Sequence, residues 1–252
     1  MRIDKQLADK FGSRNKAATA INNGLVLVNN KTVSCAYELK DGDSIEILQA
    51  EECFVSAGGA KLSKAIKVFN FSAKEKVFAD IGASTGGFTD CLLKNGAKKI
   101  YCIDVGENQL DKSLICDKIS IIDNFNARYL NKSLFSEELD GVVIDVSFIS
   151  LTYILESVSN ILPEGGSVLA LIKPQFECEN RNVGKNGIVK DAIQHKKVIL
   201  KIIDFALNCG LVPVNLTNAP IVSGKNMEYV IYLIKGAHTQ SDINFLLNSV
   251  KL

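Results

Sequence analysis

Val77-Phe78-Ala79-Asp80-Ile81-Gly82-Ala83-Ser84-Thr85-Gly86-Gly87-Phe88-Thr89-Asp90 ends an apolar run in an acid, crosses a turn of glycine and small residues, and opens a helical pattern continued by Cys91, Leu92 and Leu93. Glycine in such a turn lets the backbone approach a ligand that a Cβ would hold off. The first N–H groups of the helix lack intrahelical partners and face whatever sits on the turn. A second strand pattern, Ile100–Ile103, also ends in an acid, Asp104. An acid there can take the two hydroxyls of a ribose, as in nucleotide-binding βαβ units. The turn is not G-x-G-x-x-G and carries no pyrophosphate logic. It suits a ligand with a nucleoside at one end and a cationic amino acid at the other, a description that S-adenosylmethionine meets.

Around this stretch, apolar runs at 77–81, 100–103, 119–122, 141–146, 167–172, 211–217 and 229–234 predict strands, and helical patterns fall near 86–95, 150–161 and 192–209. A further helix is predicted from Lys61, with Leu62, Ala65, Ile66 and Phe69 on one face. Alternation of this kind predicts a mostly parallel α/β sheet, Rossmann-like, covered on both faces. Ligands then bind at the carboxyl ends of the strands. Asp80, Asp104, Asp145 and Lys173 all fall at such ends and are expected to converge.

The first fifty residues read as a separate α+β unit. Ile3, Leu7 and Phe11 recur at helical spacing before Gly12, and Ser13 caps a second helix with Ala17, Ala20 and Ile21. Short strand patterns follow at 25–28, 31–33 and 44–48, with a turn at Asn29-Asn30. Residues 1–35 carry Arg2, Lys5, Lys10, Arg14, Lys16 and Lys31 against Asp4 and Asp9, a local excess within a chain whose net charge is only +1. That excess is a candidate phosphate-facing patch.

Composition narrows the class. With 252 residues, 47% hydrophobic and 23% charged, the chain can hold one α/β domain and a small module. No apolar run is long enough to span a bilayer and Met-Arg-Ile-Asp-Lys is not a signal sequence, so a cytoplasmic protein is expected. The seven cysteines are scattered with no C-x-x-C pair, and read as reduced and mostly buried. No His/Cys cluster suggests a metal.

Residues 1–48 resemble an S4 RNA-binding domain, on Arg2-Ile3-Asp4, Ser13-Arg14, Ala17, Ile21, Gly24, Val26, Val28 and Asn29. The whole chain resembles the TlyA family, an S4 domain fused to an FtsJ-like class I methyltransferase. The resemblance rests on the ordered set Gly58-Gly59-Ala-Lys61-Leu62, Asp80 to Asp90, Asp104-Val105-Gly-Glu-Asn-Gln-Leu110, Asn126-Ala-Arg128, Asp145-Val-Ser-Phe-Ile-Ser150, Lys173-Pro-Gln-Phe-Glu177 and Asn226-Met-Glu228. It implies an S4-like unit over 1–50, a linker over 51–60 and a methyltransferase unit over 61–252. It also implies 2′-O-methylation of a cytidine ribose in ribosomal RNA, of the large subunit, within a ribosomal subunit or its precursor, with no membrane and no obligate protein partner.

The implied catalytic set is Lys61, Asp145, Lys173 and Glu228, with Lys173 as base. That role requires its amine to be free of a proton near neutrality, helped by burial and a cationic neighbour such as Lys61. Asp80, Gly82, Ser84, Gly86, Gly87, Phe88, Asp104, Val105 and Asn126 would hold S-adenosylmethionine. Arg2, Lys5, Arg14, Lys16, Lys31 and Lys64 would hold RNA. The chain departs from the family at Ser56-Ala57-Gly58-Gly59, where relatives carry Ser-Arg-Gly-Gly, so Lys64 is expected to stand in for that arginine.

Three other readings compete. Gly82-Ala-Ser84-Thr-Gly86 matches a nucleophile elbow, and Ser84, Asp145 and His195 fall in hydrolase order, but too little chain precedes Ser84 and His195 is expected on an exposed helix face. A ribosome-assembly factor that binds S-adenosylmethionine without catalysis is disfavoured by the intact Lys-Asp-Lys-Glu set. A pore is disfavoured by the lack of a spanning helix or barrel repeat.

Overall fold

Strand β4, Val77–Ile81, is an inner strand of a seven-stranded sheet, because both of its faces are apolar: Val77, Ala79 and Ile81 point one way and Phe78 the other. The structure is a computed structural model and describes all residues except 23, 30, 48–53, 180–182, 185, 222–223 and 238–240.

The N-terminal unit holds α1 (Ile3–Gln6), α2 (Ala8–Phe11), α3 (Arg14–Asn22), β1 (Val26–Val28), β2 (Lys31–Thr32) and β3 (Ile45–Ile47). The sheet order is β2-β1-β3, all antiparallel. Ile3, Leu7, Ala17, Ala20, Ile21, Val26 and Val28 form its own small core. The single helix expected over 3–11 is broken at Leu7, whose ψ of 2° leaves the helical region. Asn30, Leu48 and the linker acids Glu51 and Glu52 lie outside the described residues.

The larger unit follows as α4 (Ala57–Phe69), β4, α5 (Gly87–Lys94), β5 (Lys99–Ile103), β6 (Ile119–Ile122), β7 (Gly141–Ile144), α6 (Leu155–Ile161), β8 (Ser167–Ile172), α7 (Pro174–Glu177), α8 (Ala192–Asn208), β9 (Leu211–Asn218), β10 (Tyr229–Lys235) and α9 (Ile243–Asn248). The sheet order is β6-β5-β4-β7-β8-β10-β9. The first five of these strands are parallel, and β10 runs antiparallel to both β8 and β9. Helices α6, α8 and α9 bury one face, and α4 with α5 bury the other.

Helix α4 begins at Ala57 rather than Lys61, so residues 57–60 of the expected linker are helical. Gly58-Gly59 argues against a helix by about 1 kcal/mol per glycine. Those residues are helical because they pack closely: a Cβ on Gly87 of α5 would collide with Ser56, Gly58 and Gly59. Strand β7 stops at Ile144, two residues short of expectation, and the pattern near 150–161 is a 3-10 turn, Leu151–Tyr153, followed by α6. Among the described cysteines only Cys91 and Cys102 are buried, and Cys116 is exposed, fewer buried than expected. No described helix is long and apolar enough to cross a membrane.

Candidate active site

Two cavities open at the carboxyl edge of the sheet and share Gly82, Ser84, Asp145 and Ser147. The larger, about 330 Å³, lies beyond β4 and β5 and is walled by Asp104, Val105, Gln109, Phe125, Asn126 and Phe148. Asp104 accepts the Ser84 N–H (2.8 Å) on one carboxylate oxygen and the Gly106 N–H (2.8 Å) on the other, which fixes its plane against the cavity. Asn126 caps a 3-10 turn through the Arg128 N–H (3.1 Å). The smaller cavity, about 160 Å³, is lined by the first turns of α4 and α5 (Ser56, Gly58, Gly87, Phe88) together with Thr85 and Lys173. Gly82, at φ +78°, forms the waist: a Cβ there would lie 2.7 Å from the Asp145 carbonyl oxygen. Gly86, also left-handed, ends the turn as the N-cap of α5.

Lys173 stands at the end of β8, where Pro174 starts a new helix. It is only 8% exposed. Its Nζ lies 2.5 Å from Asp145 Oδ1 and donates to Ser147 Oγ at 2.9 Å. Asp145 itself is held by its N–H to the Ile81 carbonyl, which continues the β4–β7 pairing (3.0 Å). Lys61 Nζ pairs with Glu228 Oε2 at 2.6 Å. Since β10 is antiparallel to β8 with Tyr229 opposite Ile172, Glu228 arrives beside Lys173 one step beyond the paired segment. Gln175 Nε2 reaches Glu228 at 3.5 Å from the same turn of chain. Gly58, one helical turn before Lys61, faces the Asp145 carboxylate. Two lysine–carboxylate pairs therefore meet at one strand edge.

The sequence matches the FtsJ-like methyltransferase family over residues 54–235 and the S4 domain over residues 1–45. The chain belongs to the TlyA family of S4-bearing, FtsJ-like methyltransferases. Hemolysin A of Brachyspira hyodysenteriae is 44% identical over 240 residues, spanning 93% of this chain and all of that one. The 23S rRNA (cytidine-2′-O)-methyltransferase TlyA of Campylobacter jejuni is 34% identical, over 93% of this chain and its own full length. The 16S/23S rRNA (cytidine-2′-O)-methyltransferase TlyA of Mycobacterium tuberculosis is 32% identical, over 96% of this chain and 91% of its own.

In this TlyA-family methyltransferase, Asp80 and Gly86 are the two cofactor residues expected from sequence that stay off the cavity walls. Asp80 is fully buried beneath the turn, accepts the Thr89 hydroxyl at 2.6 Å on Oδ2, and leaves Oδ1 without a partner. Burial, reinforced by Asp145 and against the pull of the Thr89 hydroxyl, raises its carboxyl to about 7. An unfolded chain ionises Asp80 near 4, so between pH 4 and pH 7 the unfolded state releases the proton first and folding weakens as pH rises. Stability in denaturant is expected to fall by about 4 kcal/mol from this group between pH 4 and pH 8, and Asp80→Asn to flatten that slope. A wild-type slope unchanged by the substitution refutes the assignment.

His195, expected on an exposed face, is 2% exposed. Its Nδ1 meets the Tyr229 hydroxyl (2.7 Å) and its Nε2 the Val189 carbonyl (2.9 Å), so both ring nitrogens are engaged away from Ser84. The apolar face of α8 draws it inward, and the hydrolase reading falls. In the N-terminal unit Lys5, Lys16 and Lys31 are exposed, whereas Arg2 and Arg14 both reach the buried Asp4 carboxylate (2.9 and 3.1 Å). Lys64 is half-buried on α4, and Ala57 points outward at the start of that helix. Sequence reading missed Ser56, Thr85, Ser147, Phe125 and Phe148. Ser147 and Phe148 had a usable signal, lying between Asp145 and Ser150, and so did Thr85, within the turn from Gly82 to Gly86.

Proposed function

We propose that this protein transfers a methyl group from S-adenosylmethionine to the ribose 2′-hydroxyl of a cytidine in ribosomal RNA, in the large subunit. The observation that carries the reading is the Lys173 amine held between Asp145 and Ser147 where the two cavities meet. The cavities fit the cofactor. The larger has an apolar wall for adenine and Asp104 for the ribose hydroxyls, and the smaller takes the amino-acid end at the first turns of α4 and α5. Asp104 Oδ1 and Oδ2 each accept one backbone N–H and keep further lone-pair capacity. The orphaned Asp80 Oδ1 leaves a polar atom without a partner beneath the turn that bounds both cavities.

S-adenosylmethionine supplies an electrophilic methyl on a sulfonium. Lys173, freed of its proton, would accept the 2′-hydroxyl proton as the ribose oxygen takes the methyl group, the methyl–sulfur bond breaking to leave a neutral thioether, and Asp145 and Ser147 orient the amine. Lys61 and Glu228 flank the ribose and steady its position. Phe148 offers the target base a face. It is 89% exposed, holds a left-handed φ of +63°, and packs against Phe176 at 4.9 Å between centroids. Such strain in a non-glycine residue concentrates at functional sites. Base–aromatic stacking contributes about 1–3 kcal/mol, so Phe148→Ala is expected to lower kcat/KM for RNA by about 10- to 100-fold. Cofactor affinity measured by calorimetry changes far less. An RNA kcat/KM equal to wild type rules out the platform.

The S4-like unit of residues 1–50 grips the RNA through Arg2, Lys5, Arg14, Lys16 and Lys31, with Lys64 contributing from α4. The Campylobacter relative, which this chain covers end to end, supports the large-subunit assignment. The test is transfer from labelled S-adenosylmethionine to separated small and large subunits from a strain lacking the protein. Alkaline cleavage then reads the product. One protected ribose in the large subunit is the expected result. Label that protects no ribose indicates base methylation, and binding of cofactor and RNA without label indicates an assembly factor.

A further inference from the structure

The segment from Asp145 to Ser150 carries the Lys173 partner Asp145, Ser147 and the strained Phe148, yet it lies outside any helix or strand. A strained loop keeps one conformation only where its surroundings over-determine it. At its start the Asp145 N–H provides that hold. At its end a single carboxylate does. Glu177, 7% exposed at the end of α7, accepts the Ser150 hydroxyl at 2.5 Å on Oε2 and the Leu151 N–H at 2.7 Å on Oε1. Lys201 of α8 closes the arrangement, donating to Glu177 Oε2 at 3.2 Å and to the Glu177 carbonyl at 3.0 Å, and approaching Ser150 Oγ at 3.5 Å.

These bonds join three elements. α7 begins immediately after Lys173 and carries Phe176, the ring against which Phe148 packs. The loop carries Asp145 and Phe148. α8, packed on the sheet, supplies the anchoring lysine. Glu177 touches neither cavity, so it can act only through what it holds.

We propose that Glu177, braced by Lys201, is a positioning residue that locks the Asp145–Ser150 loop onto α7, fixing Asp145 against Lys173 and Phe148 against Phe176. This rests on the methyl-transfer reading above. In Glu177→Gln, a carboxamide can still accept the Leu151 N–H, but it no longer attracts Lys201 and receives the Ser150 hydroxyl less strongly. In Ser150→Ala the hydroxyl bond is lost while the Leu151 N–H still reaches Glu177, and Lys201→Met removes the brace alone.

The experiment uses full-length protein with 4-fluorophenylalanine at position 148 and follows its 19F resonance in wild type, Glu177→Gln, Ser150→Ala and Lys201→Met. The same proteins are assayed for single-turnover methyl transfer per cofactor-binding site, cofactor Kd and Tm. A displacement of about 1 Å in a reacting group can cost on the order of 100-fold, so Glu177→Gln is expected to slow the single-turnover step by about 10- to 100-fold. Cofactor Kd stays within about threefold, because no wall of either cavity is removed. The fluorine signal splits or broadens in Glu177→Gln and Ser150→Ala, and to a smaller degree in Lys201→Met. An unchanged fluorine signal with a wild-type rate per site overturns the proposal, whatever happens to Tm. A wild-type protein that transfers no methyl overturns the methyl-transfer reading instead, and the fluorine signal still decides whether the latch exists.

Discussion

Lys173→Ala is expected to reduce methyl transfer by about 10³-fold while leaving cofactor Kd within about threefold, as removal of a general base typically costs 10²- to 10⁴-fold. The ribose hydroxyl is a poor nucleophile until its proton has somewhere to go, and Lys173 Nζ is the basic atom at the junction of the two cavities. Alanine also strips Asp145 of its partner, so a lower rate alone does not separate chemistry from lost structure. Lys173→Arg does. A guanidinium keeps the charge and can still meet Asp145, but it does not give up a proton near neutrality. The arginine variant is therefore expected to fold, bind cofactor and remain inactive at the alanine level. Activity in Lys173→Arg within tenfold of wild type removes Lys173 from the base role.

The second large effect is at Gly82. Its φ of +78° costs a Cβ-bearing residue about 1–2 kcal/mol. The added Cβ would also lie 2.7 Å from the Asp145 carbonyl oxygen and 3.0 Å from its carbon, both backbone atoms that cannot rotate aside. Gly82→Ala is expected to destabilise the protein by about 3 kcal/mol, a fall of about 10 °C in Tm for a chain of this size. Cofactor affinity should drop by about 100-fold, since 1.4 kcal/mol is tenfold and Gly82 lines both cavities. Gly165 provides the comparison, because it has nearly the same φ, +80°, with nothing near the position of a Cβ. Gly165→Ala should show the backbone cost only, about 1 kcal/mol, with cofactor binding intact. Equal losses in the two variants would show that the steric contact at Gly82 does nothing.

The inner parallel strands were legible because they are buried on both faces, and β6, the half-exposed edge strand, because its run is apolar throughout apart from Ser120. β4, β6 and β8 begin and end where the apolar runs do, and every residue of β4 and β8 is buried. The convergence of Asp104, Asp145 and Lys173 followed from the rule that ligands sit beyond strand ends, and these residues do face the two cavities. What sequence could not carry was set by distant partners. Gly58-Gly59 is helical because α5 lies against it. His195 is buried because Tyr229 and Val189, from other elements, offer it hydrogen bonds. Phe148 adopts a backbone angle that nothing in its own neighbourhood favours. Asp80 sits at the end of a strand like Asp104, yet one is buried beneath the turn and the other faces a cavity, a difference decided by the strand's facing direction and by Thr89 packing over it.

The reversal of β10 bears on how the enzyme is made. A residue reaches the carboxyl edge of this sheet either by following a parallel strand or by preceding an antiparallel one, and Glu228 does the second. Lys61 leaves the ribosome 167 residues (228 − 61) before its carboxylate partner Glu228. Contacts so far apart in sequence close late. The nascent chain thus acquires the strands that wall the cavities before the second lysine is neutralised, and the emerging site stays incomplete until Glu228 has been made.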